Sequence, residues 1–238
     1  MYRLLTCCLL PLAALLLLAD DSAAPADSAW KDKPASKWSD EDVVQVLANS
    51  PWVKYVRPEH IRDLSAFERR DGGDMQAGIG KGLGLEALIG IFGGPKMTEA
   101  IARAHAKVPA DVVVVRWESA RPMRVAEQRA GVTPVHLADD DHYAIAVYGI
   151  PMPSGHNLSN VLKGISFLRR EHHKDFKPSR VEILRQPGGT ATIVYFFPRT
   201  VEITRKDGWV TFVAQIGRLF VAQNFATEEM QFQGVLEL

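Results

Sequence analysis

Six strand candidates follow Pro178 with no helix between them: Val181 to Leu184, Thr192 to Phe197, Val201 to Thr204, Trp209 to Ile216, Leu219 to Phe225 and Phe232 to Leu238. A strand joined to the next by a few residues can pair only antiparallel, because a parallel partner needs a crossover of a dozen residues or more, usually a helix. Lys206-Asp207-Gly208 reads as the turn of a hairpin between the third and fourth strands. In its second arm Val210, Phe212, Ala214 and Ile216 alternate with Trp209, Thr211, Val213 and Gln215, and Phe232, Leu236 and Leu238 share a face opposite Gln231, Gln233 and Glu237. One face packed and one solvated is the antiparallel pattern. Pro198, which has no N–H for a ladder, should end its strand or lie at an edge.

Upstream, Val112 to Val115 runs into Trp117 as a strand buried on both faces, and Tyr143 to Ile150 and Ile165 to Arg170 are further strands. Ser119 to Ala130 suits a helix opened by Ser119, with Pro122 in its first turn. An earlier helix starts at Ser39, where Ser39 and Asp42 form a capping-box pair and Trp38 and Val43 a hydrophobic staple. Val43, Val44, Val46 and Leu47 give it an apolar face, and it stops near Asn49, ahead of Pro51. A second short helix is expected from Pro58, with Ile61, Leu64 and Phe67 on one side. Between Gly72 and Gly94 lie nine of the eighteen glycines, too dense for a regular helix, before helix formers return over Lys96 to Lys107. The expected fold is α+β: an N-terminal helical segment packed on or tethered to a mainly antiparallel β domain, sandwich-like or a curved sheet. The expected divisions are a signal peptide (1–24), a flexible spacer (25–37), a helical segment (38–71), a Gly-rich connector and helix (72–108) and a β-rich domain (109–238).

The leader is read from Arg3, the uncharged run Leu4 to Leu18, the aspartates Asp20 and Asp21, and the small residues Ser22, Ala23 and Ala24. That is the layout of a secretory signal peptide, and it predicts an exported protein, periplasmic or extracellular. An uncleaved anchor is the alternative, since Pro25 follows the cleavage site directly. Cys7 and Cys8, the only cysteines, lie within the leader. The mature chain would then have no disulfide, thiolate metal site or cysteine nucleophile. The 28 basic residues are balanced by 28 acidic ones, which argues against a nucleic-acid coat.

Four short strings occur in order: Asn49-Ser50-Pro51-Trp52, Arg116-Trp117-Glu118-Ser119-Ala120, Phe197-Pro198-Arg199 and Gly234-Val235-Leu236-Glu237-Leu238. With the leader and the Gly-rich middle, the chain resembles a family of uncharacterised secreted bacterial proteins of the acidobacterial type. It departs from that pattern at Arg121, where an apolar residue would precede the proline. The resemblance implies an exported bacterial protein and implies no activity, cofactor or catalytic residue.

Candidate sites are few. A P-loop ending at Gly80-Lys81 fails, because Met75 and Gly82 stand where glycine and a hydroxyl residue are required. Gly82-Leu83-Gly84-Leu85-Glu86-Ala87 matches a dinucleotide string but follows no strand, so it reads as linker. The metal candidate is His136, Asp139, Asp140, Asp141 and His142, whose carboxylates and imidazoles suit Ca²⁺ or Zn²⁺; the competing reading is a solvated turn. Arg169, Arg170, His172, His173, Lys174, Lys177 and Arg180 form a basic run that reads as a charged hairpin connection or as a contact for an anionic surface. Trp38, Trp52 and Trp117 are the binding candidates; the simpler reading has Trp38 and Trp52 anchoring the first helix to the sheet. No G-x-S-x-G string is present, and Ser119 is better explained as a helix cap.

The expected function is a non-catalytic binding or structural module of the cell envelope, without a cofactor. Its expected partner is an envelope protein or glycan, not nucleic acid, with membrane contact only through an uncleaved N-terminus. The alternative is a metal-dependent hydrolase built on the 136–142 cluster.

Overall fold

The computed structural model describes residues 29–60, 111–132, 140–152, 158–186 and 189–238. The expected leader, the Gly-rich stretch, the helix expected over 96–107 and most of the second helix expected from Pro58 lie outside these residues.

Helix α1 (Asp40–Ala48) opens on the expected capping box. The Ser39 N–H donates to Asp42 Oδ2 at 2.8 Å, and the Asp42 N–H donates to Ser39 Oγ at 3.2 Å. Trp38 and Val43, the staple pair, are both buried, and Asn49 closes the helix. The chain then enters strand β1 (Val53–Val56) and the short β2 (Glu59–His60), so the residues after Pro58 begin as strand and not as the expected helix. Strand β3 (Val113–Trp117) is buried along its whole length and leads to helix α2 (Arg121–Ala130). Next come strand β4 (His142–Pro151), the short helix α3 (Ser159–Gly164), which the sequence reading had not placed, and strand β5 (Ser166–Arg170). Strands β6 (Arg180–Arg185), β7 (Thr190–Pro198), β8 (Trp209–Ile216), β9 (Leu219–Ala226), β10 (Gln231–Phe232) and β11 (Val235–Leu236) complete the described chain. Pro198 does end its strand.

The strands form a five-stranded sheet in the order β1-β3-β4-β7-β6, a four-stranded sheet in the order β2-β9-β8-β5, and the small pair β10-β11. All described pairings are antiparallel. The fold is therefore α+β, with a helical N-terminal segment on a mainly antiparallel β domain. One short stretch after α1 supplies an edge strand to each large sheet, β1 beside β3 and β2 beside β9.

Three further local expectations are corrected. Val201 to Thr204 is not a strand, and Lys206-Asp207-Gly208 is not a hairpin turn: Arg205–Asp207 is a 3-10 turn with its own capping box between Thr204 and Asp207. The Thr204 N–H donates to Asp207 Oδ2 at 2.6 Å, so the aspartate is spent on the turn. The hairpin instead joins β8 to β9, where Ile216 pairs with Leu219 across Gly217-Arg218. Gly217 has φ 59°, the left-handed value that a type II′ turn needs at its first central residue. Ser119 is not the cap of α2 either: Ala120 occupies that position without a side-chain bond, and Ser119 Oγ accepts from the buried Ala144 N–H at 3.0 Å.

Pleat and register divide the first sheet into two faces. Trp117, Ile145 and Tyr195 lie side by side across β3, β4 and β7, and this face meets the second sheet. Trp117 packs edge-on to Phe225 with centroids 5.2 Å apart, and Tyr195 to Phe212 at 5.2 Å. The other face carries Arg116 opposite Ala146, with Tyr148 opposite Val114, and α1 and α2 cover it. The layers run helices, five-stranded sheet, four-stranded sheet.

Candidate functional site

The second sheet has an inner and an outer face. Residues opposite one another in an antiparallel pair share a face, so the outward rows are Phe167-Val213-Ala222, Arg169-Thr211-Asn224, Trp209-Ala226 and Gln215-Phe220. Thr211 Oγ1 donates to Asn224 Oδ1 at 2.7 Å. The Arg169 guanidinium lies 5.1 Å from the Phe167 ring centroid and donates to Asp175 at 3.1 Å, so its charge is balanced in place. Trp209 sits opposite the small Ala226 and is 55% exposed.

The other tryptophans are core. Trp38 is 2% exposed, and Trp30, Trp52 and Trp117 are 0% exposed. Trp38 meets Phe232 edge-on at 5.4 Å, and Trp30 lies 6.0 Å from Trp38 and 5.7 Å from Trp52. The Trp52 indole N–H donates to the Glu237 carbonyl at 2.7 Å. Trp38, Trp52 and Trp117 therefore present no ring to a partner. The contacts of Trp38 and Trp52 run to Phe232 and the Glu237 carbonyl, and Trp30, in the stretch read as spacer, is packed with them. Arg129, near the end of α2, holds this arm by donating to the carbonyls of Ala35 (3.0 Å), Ser36 (3.2 Å) and Trp38 (2.7 Å).

Of the metal candidates, His136 and Asp139 lie outside the described residues. Asp140 is engaged by Arg124 at 3.3 Å, the Asp141 carbonyl accepts from the Arg199 N–H at 2.9 Å, and the His142 ring stands edge-on to Phe196 at 6.2 Å. Among the described residues no three His, Cys, Asp or Glu side chains gather as metal ligands. The basic run is tied into the fold: Arg169 to Asp175, Arg170 to Asp207 at 3.2 Å and to the Glu202 carbonyl at 2.7 Å, and Lys177 to the Gly164 carbonyl at 2.7 Å. Arg180 lies 3.9 Å from the centroid of the Phe196 ring.

One charged cluster escaped the sequence reading. Arg116, Glu118 and Glu127 are 0% exposed and lie with buried Tyr148 between α2 and the first sheet. Arg116 Nη2 donates to Glu127 Oε1 at 2.6 Å and to Glu118 Oε2 at 3.1 Å. The Tyr148 hydroxyl donates to Glu118 Oε1 at 2.5 Å, and the guanidinium lies 5.2 Å from the Tyr148 ring centroid. Burial, then the neighbouring Glu118 charge, push the Glu127 carboxyl up to about 8, with Arg116 pulling the other way. Burial draws the Arg116 guanidinium down, but Glu118, Tyr148 and Glu127 more than offset this and hold it above its ordinary value. The Tyr148 phenol is held well above its usual range, first by burial. A signal for this cluster was present: Arg116 is a lone charge in a strand otherwise read as buried on both faces, and such a charge requires partners. Its partner on α2 is eleven residues away and could be assigned only once the helix was placed on the sheet.

No protein family, curated protein or solved structure matches the chain significantly. No helix among the described residues is long and apolar enough to cross a membrane.

Proposed function

We propose that the chain is an exported, non-catalytic binding module of the bacterial cell envelope that holds its ligand on the outer face of the four-stranded sheet. The carrying observation is Trp209. It stands 55% exposed on a sheet face, while Trp30, Trp38, Trp52 and Trp117 are at most 2% exposed. An indole left half in water on a rigid strand is a contact surface prepared in advance, because little conformational entropy is lost when a ligand covers it. Thr211, Asn224 and Gln215 add uncharged hydrogen-bonding groups to the same face, and Arg169 is already balanced by Asp175. An aromatic plane beside neutral polar groups fits the apolar face and hydroxyls of a sugar ring, so an envelope glycan is the ligand class favoured. Export is supported by the leader-like layout from Arg3 to Ala24.

The test is co-sedimentation of the purified protein with isolated envelope polysaccharide, in wild type and Trp209→Ala. Wild type should bind, and the variant should bind at least tenfold more weakly at an unchanged melting temperature. Equal binding by the two, or none by wild type, overturns the reading.

A further inference from the structure

The buried cluster holds one cation against two carboxyl groups, all 0% exposed. With both carboxylates ionised, a net negative charge would sit in the dry layer between α2 and the sheet, which the low-dielectric surroundings strongly disfavour. The donors indicate where neutralisation falls. Glu118 accepts from both Arg116 and Tyr148. Glu127 accepts from Arg116 on Oε1 alone, and its Oε2 is buried with no donor, while both carboxyl groups converge on the same Arg116 nitrogen, at 2.6 and 3.1 Å. Two carboxyl groups crowded on one nitrogen in a dry site favour a proton on one of them.

We infer that Glu127 carries a proton in the folded protein, beside Glu118 and Arg116, and that this proton fastens α2 to the first sheet, so that the helix is held most tightly in mildly acidic solution and loosens as the pH rises. Arg116 lies on β3, Glu118 just beyond it and Tyr148 on β4; Glu127 alone comes from the helix. The rest of the buried stripe of α2 is Pro122, Met123, Ala126 and Ala130, three of them small, so the helix has little apolar area to fall back on.

Among the described residues, the other groups around the cluster do not replace this role. Tyr55 on β1 donates to the Ala48 carbonyl at 2.7 Å. On α1, Asp42 is held by Lys33 at 2.9 Å and by Ser39. On α2 itself, Arg124 engages Asp140 and Arg129 engages the N-terminal arm. Because Arg129 ties Ala35, Ser36 and Trp38 to the helix, opening of α2 would carry the arm with it.

The sign follows from linkage. In the closed state Glu127 titrates near 8, and in an open, solvated state in the ordinary carboxylate range. The contribution is fully present below that lower range and declines as the pH climbs to about 8. It is lost above that, where both states are ionised. Each pH unit inside the window raises the open population about tenfold.

The test is infrared spectroscopy and amide hydrogen exchange of the whole protein from pH 5 to pH 9. Wild type should show a carboxylic-acid C=O band at pH 6 that Glu127→Gln removes. Exchange of the α2 amides, corrected for intrinsic pH dependence, should quicken about tenfold per unit up to about pH 8 and then level off. Glu127→Gln, which keeps a neutral side chain of the same shape, should flatten that profile. If that variant does not fold, Glu118→Gln provides the second arm: it leaves Glu127 a single anion on Arg116, and the band and the slope should both disappear. Absence of the band from wild type, or an α2 profile unchanged in the variant that folds, overturns the inference.

Discussion

Arg129 offers the sharpest test of how the N-terminal arm is attached. Its two terminal nitrogens reach three backbone carbonyls, those of Ala35 and Ser36 near the surface and that of Trp38 in a partly buried position at 2.7 Å. A hydrogen bond from a charged donor in such a partly buried position contributes about 1.5 kcal/mol, and the two exposed bonds together at most about 1 kcal/mol. Arg129→Met, which keeps most of the stem, should therefore cost about 2 kcal/mol. Arg129→Lys keeps the positive charge that suits the end of a helix but loses the planar fork, so it should cost about 1 kcal/mol. Urea unfolding followed by tryptophan fluorescence measures both differences, since Trp30 and Trp38 lie in the arm. Tryptic cleavage at Lys37 should also quicken about thirtyfold in Arg129→Met, the equivalent of 2 kcal/mol of local opening. A lysine variant indistinguishable from wild type would show that a point charge suffices and that the fork is irrelevant. A methionine variant within 0.5 kcal/mol of wild type would refute the attachment itself.

Two further outcomes are expected. Ser119→Ala should cost about 1–3 kcal/mol by leaving the buried Ala144 N–H without its acceptor, while far-ultraviolet circular dichroism shows unchanged helix content; a fall in helix content would instead restore Ser119 as a cap. Trp52→Phe should cost about 1–2 kcal/mol and speed exchange of the Glu237 amide, which donates to the Met230 carbonyl at 3.0 Å, by at least tenfold; exchange at the wild-type rate would mean that the indole does not secure the C-terminal segment.

What the sequence made legible was local. The Ser39–Asp42 box and the Trp38–Val43 staple act within one turn, and both are found. The alternation from Trp209 to Ile216 follows from a single buried face, and the burial pattern matches it except at Val213, which is buried on the outward row. Misreadings arose where one residue type serves two purposes. Asp207 before Gly208 suits a hairpin, yet with Thr204 three residues earlier it caps a 3-10 turn instead. Ser119 before a helix suits a cap, yet an unpaired amide on the neighbouring strand claimed its hydroxyl. The tryptophans illustrate the same limit for function. Alternation already sets Trp209 opposite the packed row of its strand and puts Trp117 at the end of a strand buried on both faces. It does not mark Trp209 as a binding candidate, because which sheet face stays uncovered is decided only by how the two sheets stack.

The aromatic cluster at the start of the described chain is completed by its end. Trp30 and Trp38 meet Phe232, and Trp52 bonds the Glu237 carbonyl across 185 residues. Such contacts close a very long loop, which places them late in folding. As synthesis proceeds from the first residue onward, the three indoles must wait, unburied, until the final strands emerge. A chain halted before Phe232 would keep that apolar surface available to a chaperone, so completion of the core is timed by arrival of Phe232 and Glu237.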